Sequence, residues 1–184
     1  MTPVRPRYGR IEQLTDALLI ETGITAPHVQ IEDIAKARGI IIRAMDLKEV
    51  SGLLVRDGNV TVIGVNKAHA LTRRRFTIAH ECAHALLHEG KEVRYDTDFR
   101  VDFRSGMSSL GVDVEEMEAN FFAACILMPR RFLEADPLIS ELDVEDAAPT
   151  VKALAARYKV SIQAMSIRLG NLAARPGSYA KVPR

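Results

Sequence analysis

Apolar positions along the chain change their period several times, and each change predicts an element. Between residues 9 and 22, Ile11, Leu14, Leu18 and Ile20 recur at helical spacing among polar neighbours. The stretch from Gly23 to Pro27 breaks that run. VQIEDIAKARG (29–39) then predicts a second short helix, with Gly39 as its C-terminal stop. IIIRAM (40–45) is β-branched and predicts a strand. GLLVRDGNVTVIGVN (52–66) reads as two extended runs, 52–56 and 60–65, joined at Asp57-Gly58, a pair favoured in two-residue hairpin turns. The three strands together predict a small antiparallel sheet.

Further along, RRRFTIAHECAHALLHEG (73–90) carries apolar residues all round a helix. RYDTDFRVDFR (94–104) instead alternates strictly, with Tyr95, Thr97, Phe99, Val101 and Phe103 on one parity. Period two indicates an extended segment, either an added edge strand or a loop beside the site. After the link SGMSSLG, an apolar helix is expected from Val114 to Met128, and Pro129 is placed to start the next. An acidic link (134–146) leads to APTVKALAARYKVSIQAMSIRLGNL, two helices separated by YKVS, with Ser161 as an N-cap. The expected architecture is therefore α+β over residues 1–136, with a helical pair of helix-turn-helix character over 147–184 packed on it.

Composition narrows the classes. A net charge of +1 argues against a nucleic-acid coat or a membrane-surface protein, and 47% hydrophobic residues suffice for a core. The best apolar run near the N-terminus, ALLI (17–20), is flanked by Asp16 and Glu21 and does not read as a signal peptide. No stretch is long enough to span a bilayer. Cys82 and Cys125 lie far apart in apolar surroundings and read as buried reduced thiols, so a cytoplasmic location is expected.

The chemistry is concentrated in residues 80–84, HECAH. A helix advances ~100° per residue, so His80 and His84 project from one face a turn apart, as two ligands of one metal would. Glu81, one step round, can reach a water on that metal as a general base, which is the HExxH arrangement. The competing interpretation, chance histidines on an apolar helix, would leave a buried His pair and Glu uncompensated. A catalytic zinc also needs a third protein ligand. His88 lies a further turn along. Ligands at i, i+4 and i+8 on one straight helix are strung over ~12 Å, so His88 is expected to pack or to support a ligand from behind.

The following helix offers Glu116 and Asn120, four apart on one face. Glu116 would be the third ligand and Asn120 a hydrogen-bond partner behind a ligating histidine. Glu116 also fits a capping box with Asp113. Glu118 lies ~200° round from Glu116 and is expected to face away.

These motifs, with IGVN before the first helix and EMEANFFAACILMP in the second, resemble the ImmA/IrrE group of bacterial and phage metallopeptidases over residues 29–133. The resemblance implies a gluzincin-like (zincin-like) fold, one Zn2+ per chain held by His80, His84 and Glu116, and Glu81 as catalytic base. It also implies a protein substrate, usually a helix-turn-helix transcriptional repressor whose cleavage releases stress, defence or mobile-element genes. Cys82 departs from the aliphatic residue many relatives carry; ~200° from His80, it reads as core.

A donor for the oxyanion is sought in Tyr95 or an arginine of 94–104, which follow the helix closely. The strand 60–65 is a candidate to receive an extended substrate by β-addition. Arg73, Arg74 and Arg75 read as a solvated turn or as contacts to an acidic substrate segment. From Val151 to Arg184 the chain has seven Lys/Arg and no Asp or Glu, so DNA contact by the C-terminal pair stands beside packing on protein. The alternative to a protease is a non-proteolytic, zinc-containing antirepressor or DNA-contacting regulator. A base at Glu81 favours the enzyme, because a structural zinc site closes its fourth position and has no use for one.

Overall fold

In the computed structural model, which describes residues 5–88, 93–96 (94–96 by backbone only), 114–140 and 146–174, two helices lead into the sheet. They are α1 (Tyr8–Glu21) and α2 (Ile31–Ala37), and Gly39 at φ +70° ends the second as expected for a residue without a Cβ. Strands β1 (Ile40–Met45), β2 (Gly52–Asp57) and β3 (Val60–Asn66) follow, then α3 (Leu71–Leu87), β4 (Val93–Asp96) and α4 (Val114–Leu127). Short helices α5 (Arg130–Glu134) and α6 (Pro137–Ser140) precede the pair α7 (Ala148–Tyr158) and α8 (Ile162–Ala174).

The strands fall where the pattern places them, but the sheet is mixed, in the order β1-β3-β2-β4. β2 runs antiparallel to β3 and to β4, whereas β1 pairs with β3 in parallel, Ile40 opposite Thr61 and Met45 opposite Asn66. The reason lies in the link 46–51. It reverses the chain and carries it past one strand position, and the returning β3 fills the gap beside β1, now in the same direction. The hairpin register sets Asp57 opposite Val60, so the turn is Gly58-Asn59, one residue later than expected; Gly58 takes φ +55°. Flanked on both sides, β3 has no free edge, which removes it as the strand receiving a substrate.

Helix α3 packs against β2, β3, α2 and α4, and α4 packs in turn against α1. Every residue from 75 to 84 is buried. Arg75 is among them, contrary to the expectation of a solvated turn. The helix begins at Leu71, so Arg75 is inside it, and its Nη2 and Nε donate to Val29 O (2.7 Å) and Lys159 O (3.2 Å). Arg73 donates to Ser51 Oγ at 2.7 Å.

The C-terminal pair joins the same core through Tyr158 and Met165, both fully buried. Lys159 at φ +53° closes α7, and Ser161 Oγ accepts the Ala164 N–H at 3.1 Å, the cap its sequence predicts. Arg168 is buried and donates from Nε to Met128 O. Cys82 and Cys125 are buried free thiols. Among the described residues no helix is long and apolar enough to cross a membrane.

Candidate metal centre

The site lies where α3 meets α4. His80 and His84 rise from adjacent turns of α3 and bring their Nε2 atoms to 3.1 Å. Glu116, in the first turn of α4, completes a triangle. Its Oε2 is 3.2 Å from His80 Nε2, and its Oε1 is 3.4 Å from His84 Nε2. Three atoms bound at ~2.0–2.1 Å to one tetrahedral zinc lie about 3.3 Å apart, so this triangle has the dimensions of one face of such a site. Two imidazole nitrogens and one carboxylate are also the donor set of a catalytic zinc with an open fourth position.

An overlapping set, His84, His88 and Glu115, also converges. However, His84 Nδ1 and His88 Nδ1 are 2.9 Å apart, a hydrogen-bond separation shorter than the ligand edge of a zinc tetrahedron. The first set therefore fits the metal better.

Each histidine is held from behind. Asn120 Oδ1 lies 3.0 Å from His80 Nδ1. The amide oxygen accepts the Nδ1 proton and leaves the Nε2 lone pair facing the triangle. Behind His84 stands His88. α3 ends at Leu87, and His88 adopts extended backbone (φ −120°, ψ 128°), so its ring swings onto His84 Nδ1 instead of continuing along the helix. Its other nitrogen, Nε2, is 3.0 Å from Glu118 Oε2.

Glu118 does face away from Glu116, as helical geometry requires, but toward a partner that its spacing does not reveal. Arg7, at the start of α1, donates to Glu118 Oε1 from its backbone N–H (2.7 Å) and Nε (2.9 Å), and to Oε2 from Nη2 (2.6 Å). The Arg7 guanidinium holds the buried Glu118 carboxyl at a pKa of about 2, below the usual carboxylate range. Arg7 lies in no motif, and nothing in the EMEAN stretch that contains Glu118 names this partner.

Glu81 is fully buried beneath β2. Strand and helix approach so closely there that position 52 requires glycine: a Cβ would stand 3.1 Å from Glu81 Oε1 and 2.4 Å from Thr77 Cγ2. Arg56, also on β2, donates from Nη2 to His84 O (2.5 Å) and His88 O (3.0 Å), satisfying carbonyls at the end of α3. Tyr95 is on β4, opposite Leu53 of β2. The remainder of the alternating segment, 97–104, and Asp113 of the capping box lie outside the described residues.

A family model for Peptidase M78, the IrrE N-terminal-like domain, matches residues 35–170 of the 184. The chain belongs to this family. The M78 match takes in the sheet from β1 onward, both helices of the candidate metal centre, α7 and most of α8. Membership in M78 agrees with the ImmA/IrrE resemblance of the separated motifs, and the mixed α+β architecture is consistent with a zincin-like fold. A solved structure of a Mycobacterium tuberculosis transcriptional regulator superposes with a TM-score of 0.57 at 18% identity, covering 93% of this chain and 49% of that one. The likeness is one of fold, and this M78 chain spans about half the length of that structure. No curated protein matches the sequence significantly.

Proposed function

We propose that this M78-family chain is a site-specific zinc metalloendopeptidase whose substrate is a helix-turn-helix transcriptional repressor. The observation that carries the reading is the His80–His84–Glu116 triangle, sized for one tetrahedral ion, with Glu81 one helical step from His80. A closed structural site would have no role for a buried carboxylate at that position.

Zinc held by these three residues would supply Lewis acidity, activating a water and polarising the scissile carbonyl. Glu81 takes the proton of the attacking water on its carboxylate and returns it to the leaving amide nitrogen. Asn120 and His88 keep the Nδ1 protons of His80 and His84 turned away from the triangle, so both Nε2 lone pairs face inward. Tyr95 is the proposed donor to the oxyanion; its place on β4 puts it on the strand that follows α3.

The repressor substrate rests on family membership, and the regulatory name of the superposed structure accords with it. DNA contact by the C-terminal pair draws less support. Arg168 is spent inside the fold on Met128 O, and Arg157 pairs with Asp136 at 3.1 Å.

The test is Glu81→Gln. It should retain stoichiometric zinc and abolish cleavage of a co-expressed repressor from a neighbouring reading frame. Cleavage by the zinc-loaded variant at the wild-type rate would exclude the mechanism.

A further inference from the structure

The metal triangle accounts for His80, His84, Glu116 and Asn120, but not for the pairing of an exposed arginine just before α1 with a buried carboxylate in the middle of α4. Arg7 and Glu118 are 111 positions apart, and the Glu118 side chain is 2% exposed. Burying a carboxylate is costly unless its oxygens are satisfied, and packing alone would be served as well by an apolar residue. Glu118 is satisfied in a directed way. Arg7 reaches both oxygens, and among the described residues a further bond runs to His88 Nε2. Arg7 Nη2 also reaches Leu87 O at 3.3 Å, the residue at which α3 ends.

The protons along this line follow from its acceptors. Glu118, as a carboxylate, only accepts, so His88 Nε2 carries the proton and donates it. His88 Nδ1 is then a bare acceptor, and the proton between it and His84 Nδ1 belongs to His84. His84 is thereby left with its Nε2 lone pair exposed, on the side where His80 Nε2 and Glu116 converge.

We propose that Arg7, Glu118 and His88 form a positioning relay that fixes the ring orientation and tautomer of His84, so that the residue leading into α1 belongs to the metal centre. The inference rests on the metal-binding part of the proposed function and is independent of whether the chain cleaves a peptide.

The test is zinc affinity of the full-length protein, by competition with a chromophoric chelator, alongside the imidazole nitrogen shifts of His84 in the metal-free protein. Wild type and Glu116→Ala are measured first. Tight stoichiometric binding by wild type that is lost in Glu116→Ala establishes the triangle; failure there overturns the metal reading itself. Given that result, Glu118→Leu should weaken zinc by about 10–100-fold, the usual effect of removing a partner behind a ligand. It should also convert the His84 pattern from a single Nδ1-protonated tautomer to a mixture.

His88→Phe should weaken zinc comparably, and the double variant should be no weaker than His88→Phe alone, since both act through one line. Arg7→Met should show a smaller loss in the same direction, and Arg7→Lys should restore part of it. Arg157→Ala, which breaks an ion pair to Asp136 elsewhere, serves as the control for destabilisation and should leave zinc affinity unchanged. A folded Glu118→Leu protein with wild-type zinc affinity and an unchanged His84 tautomer would overturn the relay. So would losses that add in full in the double variant.

Discussion

Gly52 of β2 lies against Thr77 of α3 so closely that a methyl at position 52 would stand 2.4 Å from Thr77 Cγ2. The contact sets the distance between the sheet and the helix that carries both histidines. Gly52→Ala should cost about 1–3 kcal/mol, the usual penalty of overpacking a filled interior. Because the added Cβ would also stand 3.1 Å from Glu81 Oε1, activity should fall by more than stability explains. Adding Thr77→Ser removes the clashing methyl and should recover part of the stability in urea titrations. No recovery would place the strain elsewhere.

Arg75 bridges the chain before α2, the body of α3 and the turn before α8 through Val29 O and Lys159 O. Its burial pushes its pKa below the usual arginine value, so the guanidinium is held at a cost in desolvation. Arg75→Ala leaves two carbonyls without this donor and opens space in the core. A loss of about 2–3 kcal/mol is expected in equilibrium denaturation. A change under 0.5 kcal/mol would show that water replaces the guanidinium there.

Zinc should stabilise the fold through Glu116. At a free zinc concentration a hundred times Kd, binding adds about 2.7 kcal/mol, which for a chain of this size raises Tm by roughly 5–10 °C. Removing the metal with a chelator should reverse the shift. Glu116→Ala should lose more than ~100-fold in zinc affinity, beyond the range for partners behind a ligand. Its side chain is partly exposed, so its metal-free Tm should stay near that of the wild type. A zinc-induced shift of full size in Glu116→Ala would place the third ligand elsewhere.

The two thiols should be chemically silent. Burial raises the pKa of Cys82 well above the ordinary thiol value and that of Cys125 to about 11, which disfavours the reactive thiolate. Iodoacetamide at pH 8 should label neither in the native protein and both after denaturation, read by mass spectrometry. Rapid native labelling of Cys82 would show that its thiol is reachable and overturn its reading as an inert core residue.

Much of this was legible in the sequence because it depends on local period. The longer helices, the three leading strands and the His80/His84 and Glu116/Asn120 pairings all follow from spacings within single elements; the one-turn α6 (Pro137–Ser140), inside the stretch expected to be an acidic link, does not. What spacing does not contain is the choice of neighbour. The β-branched run of β1 predicts a strand but not that it pairs in parallel with β3. The i+8 position of His88 argues against a shared metal on a straight helix, but nothing local announces that α3 stops at Leu87 and turns the ring onto His84. The ion pair of Arg7 and Glu118 joins distant segments. The arginines at 73–75 look like a turn until the helix is seen to start at Leu71.

The mixed sheet also has a consequence for the order in which it forms. β2 and β3 are joined by a two-residue turn, whereas β1 must pair with a strand whose partner residues, Ile40 and Thr61, are 21 positions apart. Closing the longer loop costs more chain entropy, so the hairpin forms first and β1 settles onto its finished edge. Opening follows the reverse path, and amide exchange should be faster in β1 than in β2 and β3. Helix α3 rests on the hairpin. The histidines thus ride on the part of the sheet that assembles early and lets go late, while the edge strand β1 frays without them.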